Sequence, residues 1–165
     1  MASRAKAVSA PLRAYRIADS RFPIFSGHGA ALYGARWNSL GNAVIYAAET
    51  YAGALLECLA HTGIGSVPRH QAWIAIDIPV GTTVERLDPS ALRGWDDESL
   101  TISQAYGDDW VRSMRSCLLV VPSVVSRVEN NVLIHAGHPQ FRKMRSSAPK
   151  PVQWDERLFV HRRSK

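Results

Sequence analysis

Apolar residues along this 165-residue chain gather into short runs separated by turn signals. Ala43-Val44-Ile45-Tyr46-Ala47 follows Leu40-Gly41-Asn42 and precedes polar Glu49-Thr50, which predicts a buried strand. Trp73 to Ile78 alternates with period two before Pro79-Val80-Gly81 turns the chain. Cys117 to Val121 is a continuous apolar strand ending at Pro122-Ser123, and Asn131 to Ile134 supplies a shorter one. A last strand is expected from Val152 onward to Val160.

After Glu49 the period changes. Thr50 has N-cap chemistry, Leu55, Leu56 and Leu59 recur at helical spacing, and Gly63 is a terminator, so a helix is predicted with Glu57 in its middle. Gly53, Ala54, Ala60 and His61 lie one turn away from Glu57, and the small ones are expected to leave its carboxylate accessible while the leucines anchor the helix. A second helix is expected to start at Asp108-Asp109, whose charges suit a helix N-terminus, and to carry Trp110, Val111 and Met114. Strands interleaved with helices in this order indicate a mixed α+β domain. Met1 to Ala10 and Arg162 to Lys165 read as frayed ends.

With 46% hydrophobic residues the chain can bury a real core, and it has neither repeats nor a long linker, so one domain is expected. No apolar run is long enough for a signal peptide or a membrane span, which points to a cytoplasmic protein. Cys58 and Cys117 have no CxxC neighbour and the six histidines form no HExxH, so neither a disulfide framework nor a metal centre is expected. The net charge of +6 suits a nucleic acid, an acidic protein or a phosphate-bearing small molecule. Much of it sits in the last quarter, from Arg142 to Lys165, where a solvated basic tail is the plainer reading.

Several residues have both a bland and a chemical reading. Arg36 beside Trp37 is either a guanidinium stacked on an indole or a planar fork for a pyrophosphate. Glu57, set among leucines, must face water or serve a site. Tyr46 in a buried strand is ordinarily a core aromatic whose hydroxyl finds one partner. Ser123 lacks a GxSxG elbow, which argues against a nucleophile. Gly27-His28-Gly29 and Gly34 precede Arg36 without following a strand, so they make no dinucleotide fingerprint.

Taken in order, the pieces resemble the RES domain, the toxin half of RES-Xre toxin-antitoxin pairs, named for an Arg, a Glu and a Ser. The resemblance rests on Tyr15-Arg16, the stretch from Gly29 to Asn38 with Arg36, Val44 to Glu49 with Tyr46, Leu55-Leu56-Glu57, Val121-Pro122-Ser123, Glu129 to Ile134, and Asp155 to Leu158. It implies one domain over residues 1–165, core about 15–159, with a compact mixed sheet similar to ADP-ribosyltransferase toxins. It implies NAD as substrate, with no cofactor and no metal, and cleavage of the nicotinamide-ribose bond by hydrolysis or phosphorolysis. Protein ADP-ribosylation is the alternative. Arg36, Tyr46, Glu57 and Ser123 take the catalytic roles, with Arg16, Arg36, Tyr46 and Asn131 binding NAD. An Xre-like antitoxin covering the active site is the implied partner, nucleic acid is met only through it, and a homodimer suits the family. Where many members read Asn-Pro, this chain has His135-Ala136-Gly137, which weakens a functional role for His135. The competing class is a nucleic-acid-binding module, built on the basic C-terminal quarter with Trp154 and Phe159.

Overall fold

The continuous apolar runs are central strands covered on both faces. Our computed structural model describes residues 5–63 and 66–159. Its strands are β1 (Lys6–Ala7), β2 (Leu12–Asp19), β3 (Val44–Ala48), β4 (Gln71–Ile78), β5 (Thr83–Arg86), β6 (Leu118–Pro122), β7 (Asn130–His135), β8 (Arg145–Ser146) and β9 (Lys150–Pro151). They form one sheet in the order β1-β5-β6-β7-β3-β2-β4-β8, with β9 also on β4. Among the described residues only β5 and β6 run parallel. On one face, Ile45, Leu118, Val120, Val132 and Ile134 pack with Ala14, Ile74, Ile76 and Ile78. On the other, Val44, Leu119, Val121 and Leu133 pack with Trp37, Leu87 and Trp110. Burial on both faces removes the polar alternation that a half-exposed strand would show.

The helices are α1 (His28–Tyr33), α2 (Tyr51–Thr62) and α3 (Thr101–Ser113). Helix α2 starts as the sequence predicts, with the Gly53 N–H donating to Thr50 Oγ1 at 2.8 Å, and ends at Gly63, whose φ of 88° a side chain would strain. Leu56 is 40% exposed, so it does not anchor the helix; the inward face is carried by Gly53 and Ala54.

Helix α3 begins earlier than its acidic pair suggests. Leu100, in the left-handed region at φ 58°, breaks the preceding chain, and the helix then buries Ser103, Gly107 and Trp110. Packing outweighs the preference of carboxylates for a first turn. Asp108 and Asp109 lie in the last turns, where Asp108 accepts the Ser39 N–H at 2.9 Å and Asn42 Nδ2 at 2.6 Å. Gly107 has no room for a side chain, because an added Cβ would lie 1.8 Å from the Trp37 carbonyl oxygen. Gly107→Ala should therefore cost about 3 kcal/mol through overpacking, read as a lowered urea midpoint; an unchanged midpoint would show that α3 slides freely over Trp37.

The ends also differ from the expectation. Lys6–Ala7, inside the segment read as frayed, pairs with β5, while Met1 to Arg4 lie outside the described residues, as do Arg162 to Lys165. Among the described residues no strand follows Val152. Only Lys150–Pro151 pairs with β4, and Asp155 caps a short 3-10 turn over Glu156–Leu158 by accepting the Arg157 N–H, which rolls the chain out of extended form; Val160 is outside the described residues. Among the described residues no helix is long and apolar enough to cross a membrane.

Candidate functional site

Strands β2 and β4 pair along their whole length, from Leu12↔Ile78 to Asp19↔Gln71, but β2 meets β3 only at Tyr15↔Ala48. Beyond that pair the sheet opens, and a cavity of about 470 Å³ occupies the gap beneath α2. That volume lies within the usual range of small-molecule sites. Arg16, Arg36, Tyr46, Glu57 and Asn131 line it, and Ser123, 3% exposed, sits behind Glu57.

Glu57 projects from the second turn of α2, and its Oε1 accepts Ser123 Oγ at 2.7 Å and Asn131 Nδ2 at 2.8 Å. These donors lie on either side of the turn joining β6 to β7. The Ser123 hydroxyl in turn accepts the Ser126 N–H at 3.0 Å, so its proton is directed at the carboxylate. Ser123 is 3% exposed and sits behind a carboxylate that itself lines the cavity, which fits a supporting part for Glu57 and not a nucleophile facing substrate.

Arg16 bridges the opening. Its Nε donates to the Ile24 carbonyl and its Nη1 to the Tyr46 carbonyl, both at 2.7 Å. Although partly exposed, it is sunk deep enough that burial lowers its pKa to about 10, leaving it cationic at neutral pH. Arg36 Nη1 donates to the carbonyls of Trp95 at 3.3 Å and Asp97 at 3.0 Å. Its neighbour Trp37 stacks on Trp95 at 6.2 Å between ring centres, so the indole partner is another indole and not the guanidinium. Both arginines thus spend their hydrogen bonds on main-chain oxygens and bring net positive charge to the cavity wall.

Tyr46 donates its hydroxyl to Asn38 Oδ1 at 2.7 Å and accepts the Trp37 N–H at 3.1 Å. Burial raises its pKa above the ordinary tyrosine value, so it stays neutral and offers the cavity its ring. Asn38 is a positioning residue that the sequence reading passed over. Fully buried, it donates to the carbonyls of Ala30, Ser39 and Asn42 and so fixes the segment that presents Arg36. A buried asparagine in a turn has no periodicity to betray it.

The small neighbours of Glu57 divide. Ala54 lines the cavity beside it. Gly53 serves a different contact, since an added Cβ would meet Glu129 Oε2 at 2.7 Å, and Ala60 is exposed and clears nothing. Gly27 packs against the main chain of Ala43 and Val44, where an added Cβ would come within 2.9 Å, so that glycine is about close packing.

His135 stands apart from the cavity. It is 5% exposed, its Nε2 lies 3.0 Å from the Val111 carbonyl and its Nδ1 accepts the Gly137 N–H at 3.1 Å, a pattern that needs the neutral ring. Burial lowers its pKa below 6.5, with His138 adding to the shift, so the unfolded chain takes up the proton first. The urea midpoint should fall as pH drops through about 6.5 towards 5, and fall less in His135→Gln; equal falls would assign the loss elsewhere.

Three basic residues of the C-terminal quarter have partners within the chain. Arg145 donates to the carbonyls of Arg142 and Met144, Lys150 lies 5.4 Å over the Trp73 ring, and Arg157 pairs with Asp155. Trp154 packs edge-on against Phe159 at 6.0 Å, which is no open stacking platform for bases. Among the described residues no group of three or more His, Cys, Asp or Glu could hold a metal ion.

Residues 13–155 match the RES domain family. The chain is 36% identical over 138 residues to a Prs ADP-ribosylating toxin of Sphingobium sp. (strain YBL2), covering 81% of this chain and 86% of that protein. It is 34% identical over 133 residues to a Toxin Res of Photorhabdus laumondii, covering 78% of this chain and 85% of the relative. Its fold is similar to that in the crystal structure of the M. tuberculosis MbcT-MbcA toxin-antitoxin complex, with a TM-score of 0.70 at 17% identity over 89% of this chain and 86% of the other.

Proposed function

The chain belongs to the RES-domain family, and on that premise we propose that it is the toxin of a toxin-antitoxin pair and cleaves the nicotinamide-ribose bond of NAD. The observation that carries this reading is the Glu57 carboxylate, held by Ser123 and Asn131 in a cavity whose other charged walls are Arg16 and Arg36.

Breaking that bond puts positive charge on the ribose in an oxocarbenium-like transition state. A fixed carboxylate is worth more to this state than to the ground state, which carries its positive charge on the departing ring, so its effect falls on the chemical step. Both donors use Oε1, leaving Oε2 without a protein hydrogen bond among the described residues and free for a ribose hydroxyl. Arg16 and Arg36 supply the cations that a pyrophosphate needs, and the Tyr46 ring gives the nicotinamide-ribose end an apolar wall. The positive field would also favour an acidic segment of an antitoxin laid over the cavity.

The acceptor decides the product. Water gives hydrolysis, inorganic phosphate gives phosphorolysis, and a protein side chain gives ADP-ribosylation. The last is kept as a second reading because the Sphingobium relative is named an ADP-ribosylating toxin. Purified protein mixed with NAD should release nicotinamide, and the dependence on inorganic phosphate separates the first two products. Release of nicotinamide only when a protein target is added, with ADP-ribose appearing on that target, would replace depletion by transfer.

A further inference from the structure

The turn between β6 and β7 touches α2 twice, and only one of these contacts is at the carboxylate. The turn closes on itself, with the Ser123 N–H donating to the Glu129 carbonyl at 3.0 Å and the Arg127 N–H to the Ser123 carbonyl at 3.1 Å. From its near end Ser123 reaches Glu57. From its far end the Glu129 carboxylate accepts the Thr50 hydroxyl at 3.0 Å, at the cap of the same helix. Thr50 and Glu57 are seven residues apart, about two helical turns.

The second contact is built closely. Thr50 Oγ1 relays it into the helix by accepting the Gly53 N–H at 2.8 Å. Glu129 comes so near the first turn that an added Cβ on Gly53 would lie 2.7 Å from its Oε2 and 3.0 Å from Thr50 Oγ1. A negative group at a helix start is also favoured by the unpaired N–H groups there. Two residues after Glu129, Asn131 supplies the other donor to Glu57.

We propose that Glu129 is a positioning residue for the reaction: its bond to Thr50 sets the register of the β6–β7 turn against α2, so that Ser123 and Asn131 both meet Glu57. Gly53 is glycine because that bond needs the space. The catalytic part of this inference rests on the reading of Glu57 given above, whereas the register itself is independent of it.

The test compares the full-length protein with Glu129→Ala, Glu129→Gln and Gly53→Ala. Nicotinamide release from NAD is followed over a range of NAD concentrations, and amide hydrogen exchange is read at Gly53 and Ser126, whose N–H groups depend on the two contacts. Glu129→Ala and Gly53→Ala should lower kcat roughly tenfold to a hundredfold, the range expected from a small misplacement of a reacting group, with KM nearly unchanged. Both amides should exchange faster. Glu129→Gln keeps an oxygen for Thr50 and should stay near the wild-type values. If Glu129→Ala does not fold, Gly53→Ala and the Gln variant decide. If wild-type protein releases no nicotinamide, the reading of Glu57 fails and the exchange measurement alone judges the register. Unchanged exchange at Ser126 in both the Ala variants, or kcat within twofold of wild type, would overturn the proposal.

Discussion

Glu57→Gln is expected to reduce nicotinamide release about 10³-fold while the protein melts within about 2 °C of wild type, by analogy with the loss of one aligned electrostatic partner at a reacting centre. The argument turns on what the substitution keeps. A glutamine oxygen can still accept Ser123 Oγ and Asn131 Nδ2, so the turn, the helix and the cavity remain in place. What disappears is the negative charge, and only the transition state carries positive charge on the ribose. KM should therefore change little and kcat should carry the loss. Ser123→Ala leaves the charge but removes one of its two fixed supports, so its loss should be nearer tenfold. Retention of more than a tenth of the wild-type rate in Glu57→Gln, measured by chromatography of released nicotinamide, would remove Glu57 from the chemistry.

The largest effect on stability should come from Arg115→Met, at about 3–5 kcal/mol, because it strands a buried carboxylate. Glu85 on β5 is 1% exposed and is held by Arg115 Nε at 2.6 Å and by the Tyr106 hydroxyl. Burial works against the Arg115 charge, but Glu85 and Asp109 outweigh it and raise the guanidinium pKa. Arg115 also lies 5.6 Å over the Tyr106 ring, so it reinforces the link that Tyr106 makes between α3 and β5. In Arg115→Met the charge of Glu85 loses its counter-ion inside the protein, and a fall in melting temperature of roughly 10 °C follows for a chain of this size. Adding Glu85→Gln to that variant should recover most of the loss, since a neutral amide beside methionine leaves no uncompensated charge. Urea unfolding at neutral pH measures both, and a single-variant cost below about 1 kcal/mol would show that water or a rearranged side chain replaces the arginine.

The central strands were legible in the amino-acid order because they are apolar on both sides. The runs at Ala43 to Ala47, Cys117 to Val121 and Asn131 to Ile134 fall within a residue or two of β3, β6 and β7. Strand β2 left no such trace. Leu-Arg-Ala-Tyr-Arg-Ile-Ala-Asp carries charges at Arg13 and Arg16, one paired with Asp77 at the surface and the other turned to main-chain oxygens in the opening. The two-residue strands β1, β8 and β9 are too short for any period to register. Of the site, Glu57 was visible as a carboxylate on a helix with small neighbours, but its link to Ser123 and Asn131 spans 66 and 74 residues and exists only in three dimensions. Gly53 shows the limit well. Its smallness was read as room for Glu57, whereas it makes room for Glu129 on another part of the helix.

That long separation has a consequence for the chain as it is made. Arg16, Arg36, Tyr46 and Glu57 all precede residue 58, yet β3 has no partner on its β7 side until residues 131–135 have left the ribosome, and Glu57 no donor until Ser123 has. A nascent or truncated product ending before Ser123 would hold every charged residue of the cavity and neither donor to Glu57. Termination before Ser123 should therefore yield harmless fragments, and a newly made molecule could act only after Asn131 has left the ribosome.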